Sequence, residues 1–204
     1  MPQVDFIFDF GSPNAYLAHK LVAGIERRTG VTFTYKPCLL GGIFKSTGNQ
    51  APMLAFAGVK GKLEYDMLEF QRFIDRHELT KFNFNPNFPI NTLPLMRGAV
   101  AMEMKGQADL RRYVDAILTF MWEAPRNLND SEVLAQTWTD AGYDADDMAA
   151  LIQSPEVKKG LMENTAAAVE RGVFGIPTFF VGDEMFFGKD RLDQVEEEIR
   201  KQGP

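Results

Sequence analysis

The amino-terminal part of the chain alternates between strand-like and helical patterns. Residues 4–10 are mostly apolar and aromatic, which predicts a buried strand. Ser12 and Pro13 then form a helix-capping pair, and the apolar residues that follow recur with helical spacing at Ala18, Leu21, Val22 and Ile25. Residues 31–36 predict a second strand. This strand–helix–strand order indicates a βαβ unit whose two strands are parallel.

The middle of the chain has a different pattern. From about residue 63 to about residue 168 the apolar positions recur with helical periods, in about six stretches and without a good strand signal. Residues 82–92 interrupt these stretches with a mixture of Phe, Asn and Pro that suits no regular element, which predicts a loop. The middle of the chain is therefore expected to be a block of helices joined by loops.

Strand signals return near the carboxyl end. Residues 178–181 and 185–187 are apolar and are separated by the turn signal Gly182-Asp183. A last helix is predicted to open at Asp190. The order βαβ, helical block, ββα predicts an α/β fold in which a large all-helical insertion separates the two halves of one small sheet.

The length of the chain agrees with this organisation. With 204 residues, it is one domain or one domain that carries a large insertion, and it can bury a core without disulfides or metals. We place a discontinuous sheet domain in residues 1–60 and 170–204, and the inserted helical domain in residues 61–169. Such an insertion explains why the strand signals occur only near the two ends of the chain.

Charge and cysteine content exclude several classes of function. With 22 Lys and Arg against 28 Asp and Glu, the formal net charge is −6, which argues against a nucleic-acid partner or an anionic membrane surface. No apolar run reaches the roughly 18 residues of a membrane span, and no secretory signal begins the chain, so a cytoplasmic location is expected. One cysteine, Cys38, and two histidines predict neither an internal disulfide nor a metal site. Any reactive sulfur is expected to come from outside the chain.

Ser12 is a candidate for chemistry because it lies where a strand ends and a helix begins. In open α/β sheets this junction is the usual ligand crevice, and the unpaired amides of the helix amino terminus stabilise an anion. The alternative is a plain helix cap, since the same Ser-Pro pair recurs at Ser154. The chain has no G-x-S-x-G motif and too few histidines for a triad. Ser12 is therefore expected to act as a hydrogen-bond donor rather than as a nucleophile.

Two further segments are open to both a functional and a purely structural interpretation. Residues 41–49 contain Lys45 and Asn49 among glycines, but they lack the glycine directly before lysine that a phosphate loop requires. We expect a loop here, which either surrounds a carboxylate or carbonyl group of a ligand or is simply a solvated turn. Pro177 precedes the third strand, where it either starts that strand or follows a cis peptide bond.

Four groups of short motifs follow one another through the chain: DFGSP and YLA in residues 9–18, LGGIFK and GN in residues 40–49, NT and MRGA in residues 91–99, and GVFGIPT and FGKDRL in residues 172–192. With the predicted element order, they resemble the thioredoxin-like fold with a helical insertion that is found in DsbA. Ser12 stands at the position of that fold's first redox cysteine, so dithiol–disulfide chemistry is not expected. The serine form resembles the 2-hydroxychromene-2-carboxylate isomerase family and the related kappa-class glutathione transferases.

The resemblance implies that glutathione is the cofactor. Six positions match residues that bind glutathione in that family: Ser12, Asn49, Ile176, Pro177, Lys189 and Asp190. Ser12 matches the catalytic serine that hydrogen-bonds the sulfur, and the backbone of Ile176, before a cis-proline, matches the partner of the cysteinyl part. Lys189 and Asp190 match the positions that hold the γ-glutamyl end. The resemblance assigns no metal.

The resemblance also implies a small aromatic substrate. Lys45 matches a lysine that faces substrate and glutathione carboxylates, whereas Phe88 replaces an aromatic hydroxyl near the substrate. The leading hypothesis is a glutathione-dependent cis–trans isomerase acting on 2-hydroxychromene-2-carboxylate or a similar intermediate of aromatic catabolism. A kappa-like glutathione transferase or peroxidase is the alternative, followed by a catalytically silent binding protein or chaperone. Because the family is dimeric, a homodimer is expected.

Overall fold

The computed structural model describes residues 2–203, which contain a four-stranded sheet. Its strands are β1 (Val4–Phe8), β2 (Phe33–Pro37), β3 (Thr178–Val181) and β4 (Glu184–Phe187). They lie in the order β2-β1-β3-β4. Strand β2 is parallel to β1, whereas β3 is antiparallel to β1 and β4 is antiparallel to β3. The predicted parallel βαβ unit and the carboxyl-terminal strand pair are therefore confirmed.

Ten α-helices accompany the sheet within residues 2–203. They are α1 (Pro13–Thr29), α2 (Leu40–Thr47), α3 (Pro52–Ala55), α4 (Lys62–Arg76), α5 (Leu93–Lys105), α6 (Gln107–Trp122), α7 (Ser131–Asp140), α8 (Ala145–Leu151), α9 (Pro155–Glu170) and α10 (Leu192–Lys201). Helices α4 to α9 form the helical block that the apolar periods predict, and residues 82–92 form the predicted loop between α4 and α5. None of these helices combines the length and the apolar character needed to cross a bilayer.

The expectation of a loop over residues 41–49 is wrong, because most of them form helix α2. This helix ends at Gly48, which has a left-handed conformation with φ of 70°. At Gly42, an added Cβ would lie 3.1 Å from Cγ2 of Thr165 in α9, so a glycine allows the two helices to approach closely. Glycine lowers the local helix propensity, but this packing overrides it.

The centre of the sheet is aromatic. The ring of Phe6 on β1 stacks on Phe179 of β3 with 4.9 Å between centroids, and it meets Tyr35 of β2 edge-on at the same distance. All three side chains are buried, and such pairs add to the stabilisation that burial alone provides. This packing fixes the central strand, from whose carboxyl end the Ser12 turn leaves the sheet.

An ion-pair network holds the last helix against the first. The guanidinium of Arg28 on α1 binds both carboxylate oxygens of Glu196 on α10, and Arg200 binds the same carboxylate at 2.7 Å. The hydrogen bonds from Arg28, followed by those from Arg200, lower the pKa of Glu196 to about 2. The network therefore stabilises the fold above the pKa of an unfolded glutamate, and this stabilisation is lost as the pH falls towards 2.

Replacing Glu196 by glutamine is expected to lower the free energy of unfolding at neutral pH by about 1 kcal/mol, because both arginines are more than half exposed to screening solvent. Thermal unfolding at several pH values measures this difference, which should disappear below the lowered pKa of Glu196. Glu197→Gln, on the exposed side of the same helix, is the control and should have little effect. A difference that persists unchanged at low pH would contradict the role of the Glu196 charge.

Candidate active site

Ser12 is the N-cap residue of α1. Its hydroxyl oxygen accepts a hydrogen bond from the backbone N–H of Ala15 at 3.2 Å, and its hydroxyl group donates to the backbone carbonyl of Ile176 at 3.2 Å. The residue is 5% exposed. Ser12 thus joins the amino terminus of α1 to the segment before β3.

Ser154 is a helix cap in the same chain that can be compared with Ser12, because it lacks a contact like the one from Ser12 to Ile176. It also precedes a proline at the start of a helix, and its oxygen accepts from the N–H of Val157 at 3.2 Å. Within residues 2–203 its hydroxyl makes no further hydrogen bond like the one from Ser12 to Ile176. The two serines therefore share the cap and differ in the tertiary contact.

The segment before β3 brings together four of the predicted residues. The peptide bond between Ile176 and Pro177 is cis, as the resemblance implies. Asn49, after the end of α2, donates from Nδ2 to the backbone carbonyl of Phe174 at 2.8 Å. Ser12 and Asn49 therefore bind the same short segment, at carbonyl groups two residues apart.

Lys189 and Asp190 lie in a 3₁₀ turn before α10. Lys189 is buried, with its Nζ 2.8 Å from a carboxylate oxygen of Asp190 and 4.5 Å from the ring centroid of Phe73 on α4. The Asp190 side chain is 64% exposed. The group that a ligand can reach here is thus the carboxylate of Asp190, whereas the ammonium of Lys189 is covered by the helical block.

The two residues predicted to contact the substrate differ in their surroundings. Lys45 is exposed on α2 and makes no hydrogen bond or ion pair within residues 2–203. Phe88 is partly buried in an aromatic cluster, with ring centroids 5.6 Å from Phe84 and 6.0 Å from Trp122. Phe88 is therefore held by contacts with other aromatic rings. The Lys45 ammonium has no partner in the described part of the chain.

Trp122 is a residue that sequence reasoning missed. It is fully buried at the end of α6, and its indole N–H donates to the backbone carbonyl of Phe10 at 2.9 Å. The rings of Phe82, Phe84 and Phe88 lie 5.7 to 6.0 Å from it. We call these four rings the aromatic wall. Through Phe10 the wall is attached to the strand end that leads directly to Ser12.

Asp9 is a second residue that sequence reasoning left without a role. It is 1% exposed, and its two carboxylate oxygens accept the backbone N–H groups of Gly11 and Leu40, each at 2.8 Å. Burial raises the pKa of Asp9, while the bonds from Leu40 and Gly11 and an interaction with Thr92 lower it. The sequence signal for such a group is an ionisable residue directly after a buried strand.

The thiol of the chain itself is not exposed to a ligand. Cys38 is buried, and its Sγ donates to the backbone carbonyl of Asn164. Burial raises the pKa of this thiol, so it is protonated at neutral pH. In the described part of the chain, residues 2–203, no group of three or more His, Cys, Asp or Glu side chains could hold a metal ion.

Comparisons with known proteins show the family to which the chain is related. The family model of the DSBA-like thioredoxin domain matches residues 3–200. The 2-hydroxychromene-2-carboxylate isomerase of Sphingobium xenophagum is 30% identical over 193 residues, covering 95% of each chain. Glutathione S-transferase kappa 1 of Rattus norvegicus is 25% identical over 201 residues, which cover 93% of this chain and 87% of the relative.

A solved structure gives the same result at the level of the fold. A 2-hydroxychromene-2-carboxylate isomerase superposes with a TM-score of 0.83 and 29% identity, over 98% of this chain and 95% of that one. The predicted α/β fold, thioredoxin-like with a large helical insertion, is therefore confirmed. The chain belongs to the DsbA-like thioredoxin domain family and, within it, to the family named after 2-hydroxychromene-2-carboxylate isomerase, with kappa-class glutathione transferases as further relatives.

Proposed function

We propose that this protein is a glutathione-dependent cis–trans isomerase acting on 2-hydroxychromene-2-carboxylate or a similar intermediate of aromatic catabolism. The names of its relatives support an isomerase or a glutathione-transferase-like enzyme. The observation that carries the proposal is the Ser12 hydroxyl, held at a helix amino terminus and 3.2 Å from the carbonyl of Ile176. This arrangement supplies donors for an anionic sulfur, and the only cysteine of the chain is buried.

The residues at this site fit a tripeptide thiol. Ser12 and the first-turn amides of α1 suit the sulfur, because a helix amino terminus favours an anion. The backbone of Ile176 offers hydrogen-bonding groups for the cysteinyl part, and Asn49 offers its side-chain amide. The exposed carboxylate of Asp190 suits the ammonium of the γ-glutamyl end.

When bound, glutathione supplies a thiolate, which is a reversible nucleophile towards an unsaturated carbon. The role of Ser12 is to turn its hydroxyl from the carbonyl of Ile176 towards the sulfur, and so to favour the thiolate. A free thiol has a pKa of about 8.5, and donors of this kind at a helix amino terminus lower it. Ser12 therefore raises the fraction of reactive anion at neutral pH without attacking the substrate itself.

Lys45 and the aromatic wall would hold the substrate. The free ammonium of Lys45 stabilises either the carboxylate of the substrate or the enolate charge that develops during the reaction. In this reaction the hemiketal ring of the substrate opens, and a carbon–carbon bond that has lost its double-bond character rotates. Phe88 presents an apolar face where the family has a hydroxyl, so this wall binds the aromatic ring by contact rather than by a hydrogen bond. The product is the trans ring-opened 2-oxo acid.

The test combines binding and turnover. Titration calorimetry with glutathione, in two buffers of different ionisation enthalpy, should detect binding with proton release. Adding protein and glutathione to 2-hydroxychromene-2-carboxylate should change the ultraviolet spectrum of the substrate. Absence of binding at millimolar glutathione would exclude glutathione as the cofactor. Binding of glutathione with an unchanged substrate spectrum would exclude 2-hydroxychromene-2-carboxylate as the substrate.

A kappa-like glutathione transferase or peroxidase is the second candidate, which the identity to the rat kappa enzyme favours. Product analysis separates the two activities, since a transferase leaves a stable thioether and an isomerase returns free glutathione. Mass spectrometry of the products formed from a reactive aromatic electrophile measures this difference directly.

Replacing Asp190 by asparagine is expected to weaken glutathione binding about tenfold, because a hydrogen bond to a charged group is replaced by a neutral one. Calorimetry measures the dissociation constant. Asp193→Asn, an exposed aspartate in the first turn of α10, is the matched control and should leave it unchanged. If Asp190→Asn lowers the melting temperature and leaves the affinity for glutathione unchanged, this carboxylate serves only to stabilise the fold through its ion pair with Lys189.

We extend the proposal to a cytoplasmic homodimer. Seven large apolar side chains between residues 53 and 68 are exposed on a single chain: Met53, Leu54, Phe56, Val59, Tyr65, Met67 and Leu68. Large apolar side chains exposed in this number along one segment favour burial against a partner, which supports the dimer. Sedimentation analysis should give twice the mass of the chain, and a monomer at micromolar concentration would contradict a stable dimer.

A further inference from the structure

Asp9 contacts the segments from which the predicted site is built. Its Oδ1 accepts the N–H of Gly11, next to Ser12. Its Oδ2 accepts the N–H of Leu40, the first residue of α2. Both distances are 2.8 Å, in the range of bonds to a charged acceptor. One buried carboxylate therefore joins the turn that carries Ser12 to the helix that carries Lys45.

Thr92 brings a third segment to the same carboxylate. It is buried at the end of the loop that contains Phe88, and its side chain interacts with Asp9 and lowers the pKa of that residue. Gly11 is enclosed between the two: an added Cβ there would lie 3.2 Å from Cγ2 of Thr92 and 3.4 Å from Oδ1 of Asp9. The loop of the aromatic wall and the Ser12 turn are thus packed around one group.

This arrangement differs from that of Asp5, the buried aspartate on β1. Asp5 is 4% exposed and pairs with Arg171 at 2.7 Å, so its charge is neutralised by a cation. Within residues 2–203 no Lys, Arg or His forms a salt bridge with Asp9, whose partners are neutral donors. A buried carboxylate without a counter-ion is costly, because desolvation penalises the charged form. The fold retains it beside Ser12, where neutral donors from three segments converge on it.

We infer that Asp9 is a positioning residue, which fixes the Ser12 turn, helix α2 and the Phe88 loop relative to one another so that cofactor and substrate groups meet. This inference rests on the proposed function. Asp9 acts through the residues on those segments and contacts neither glutathione nor substrate. Fixed relative placement matters because binding groups on separate segments act together only while supporting contacts hold them close to the productive geometry.

The experiment compares Asp9→Asn with Asp5→Asn in hydrogen exchange and in glutathione calorimetry. Asparagine keeps the shape of the aspartate side chain. It replaces one of the two carboxylate oxygens by an NH2 group, which is a donor and faces a backbone N–H. In Asp9→Asn we expect exchange about tenfold faster both around Gly11 and around Leu40, and a dissociation constant of glutathione about tenfold higher. Asp5→Asn should lower the melting temperature and change neither readout at the site.

Thr92→Val and Thr92→Ser provide a second, milder pair of variants if Asp9→Asn does not fold. Valine removes the hydroxyl and should raise the KM of the aromatic substrate while kcat stays close to normal, and serine should restore the KM. Faster exchange at Gly11 alone, the same site effects in Asp5→Asn, or no rescue by serine would overturn the role of Asp9. If the wild type binds no glutathione, the proposed function fails, while hydrogen exchange still decides whether Asp9 joins the segments.

Discussion

Replacing Ser12 by alanine is expected to lower kcat/KM for the isomerisation by about 10²–10³-fold, the usual loss when one donor to an anion at an active site is removed. The hydroxyl is buried and lies 3.2 Å from the carbonyl of Ile176, so bulk water does not replace it. Without this donor, the pKa of the thiol of bound glutathione rises, and less thiolate forms at neutral pH. Steady-state kinetics at saturating glutathione measure the first effect, and the ultraviolet absorbance of the thiolate against pH measures the second.

Ser154→Ala is the matched control for this variant. Both substitutions remove a cap bond of 3.2 Å, to Ala15 in one case and to Val157 in the other. The lost cap is therefore expected to cost about 1 kcal/mol of stability in each variant, and Ser12→Ala also loses the bond to Ile176. Only Ser12→Ala should lose activity. Equal losses of activity in both variants would assign the effect to the caps, whereas full activity in Ser12→Ala would favour a protein whose function does not use this site.

The strands and most helices could be predicted because their signals are local. Aromatic runs bounded by turn residues marked β1, β3 and β4, and helical periods marked the block from α4 to α9. Helix α2 could not be predicted, since the reason for its stability is distant in sequence: Gly42 packs against Thr165 of α9. Patterns within a short window do not contain such contacts.

The candidate site likewise has features with a local sequence signal and contacts between residues that are distant in sequence. Ser12 could be identified as a helix cap at a strand end, but its contact with Ile176 spans 164 residues and depends on β3 pairing with β1. Asp9 follows an apolar strand and is part of the DFGSP motif, yet its partners at Leu40 and Thr92 come from two other segments. The family resemblance indicated which residue types to expect, and only the folded chain joins them.

The aromatic wall gives the second large expected effect. Trp122→Phe removes the indole N–H that donates to the carbonyl of Phe10 at 2.9 Å. Phe10 is fully buried, so water does not replace the donor, and leaving a buried acceptor unsatisfied costs about 1–3 kcal/mol. The smaller ring also leaves a cavity beneath Phe82 and Phe84. We expect the free energy of unfolding to fall by about 2–4 kcal/mol.

Trp138→Phe separates loss of stability from loss of function. Its indole N–H also donates inside the core, to the hydroxyl of Tyr113 at 3.2 Å, but that hydroxyl keeps its bond to the carbonyl of Leu95 and lies outside the aromatic wall. This control should lose less stability and leave the KM of the aromatic substrate unchanged. In Trp122→Phe the KM should rise, because Phe88 loses the surface on which it packs and Phe10 loosens next to Ser12. Denaturant titration and steady-state kinetics on both variants measure the two effects, and a KM that is equal in both would show that the wall supports the fold without shaping the substrate site.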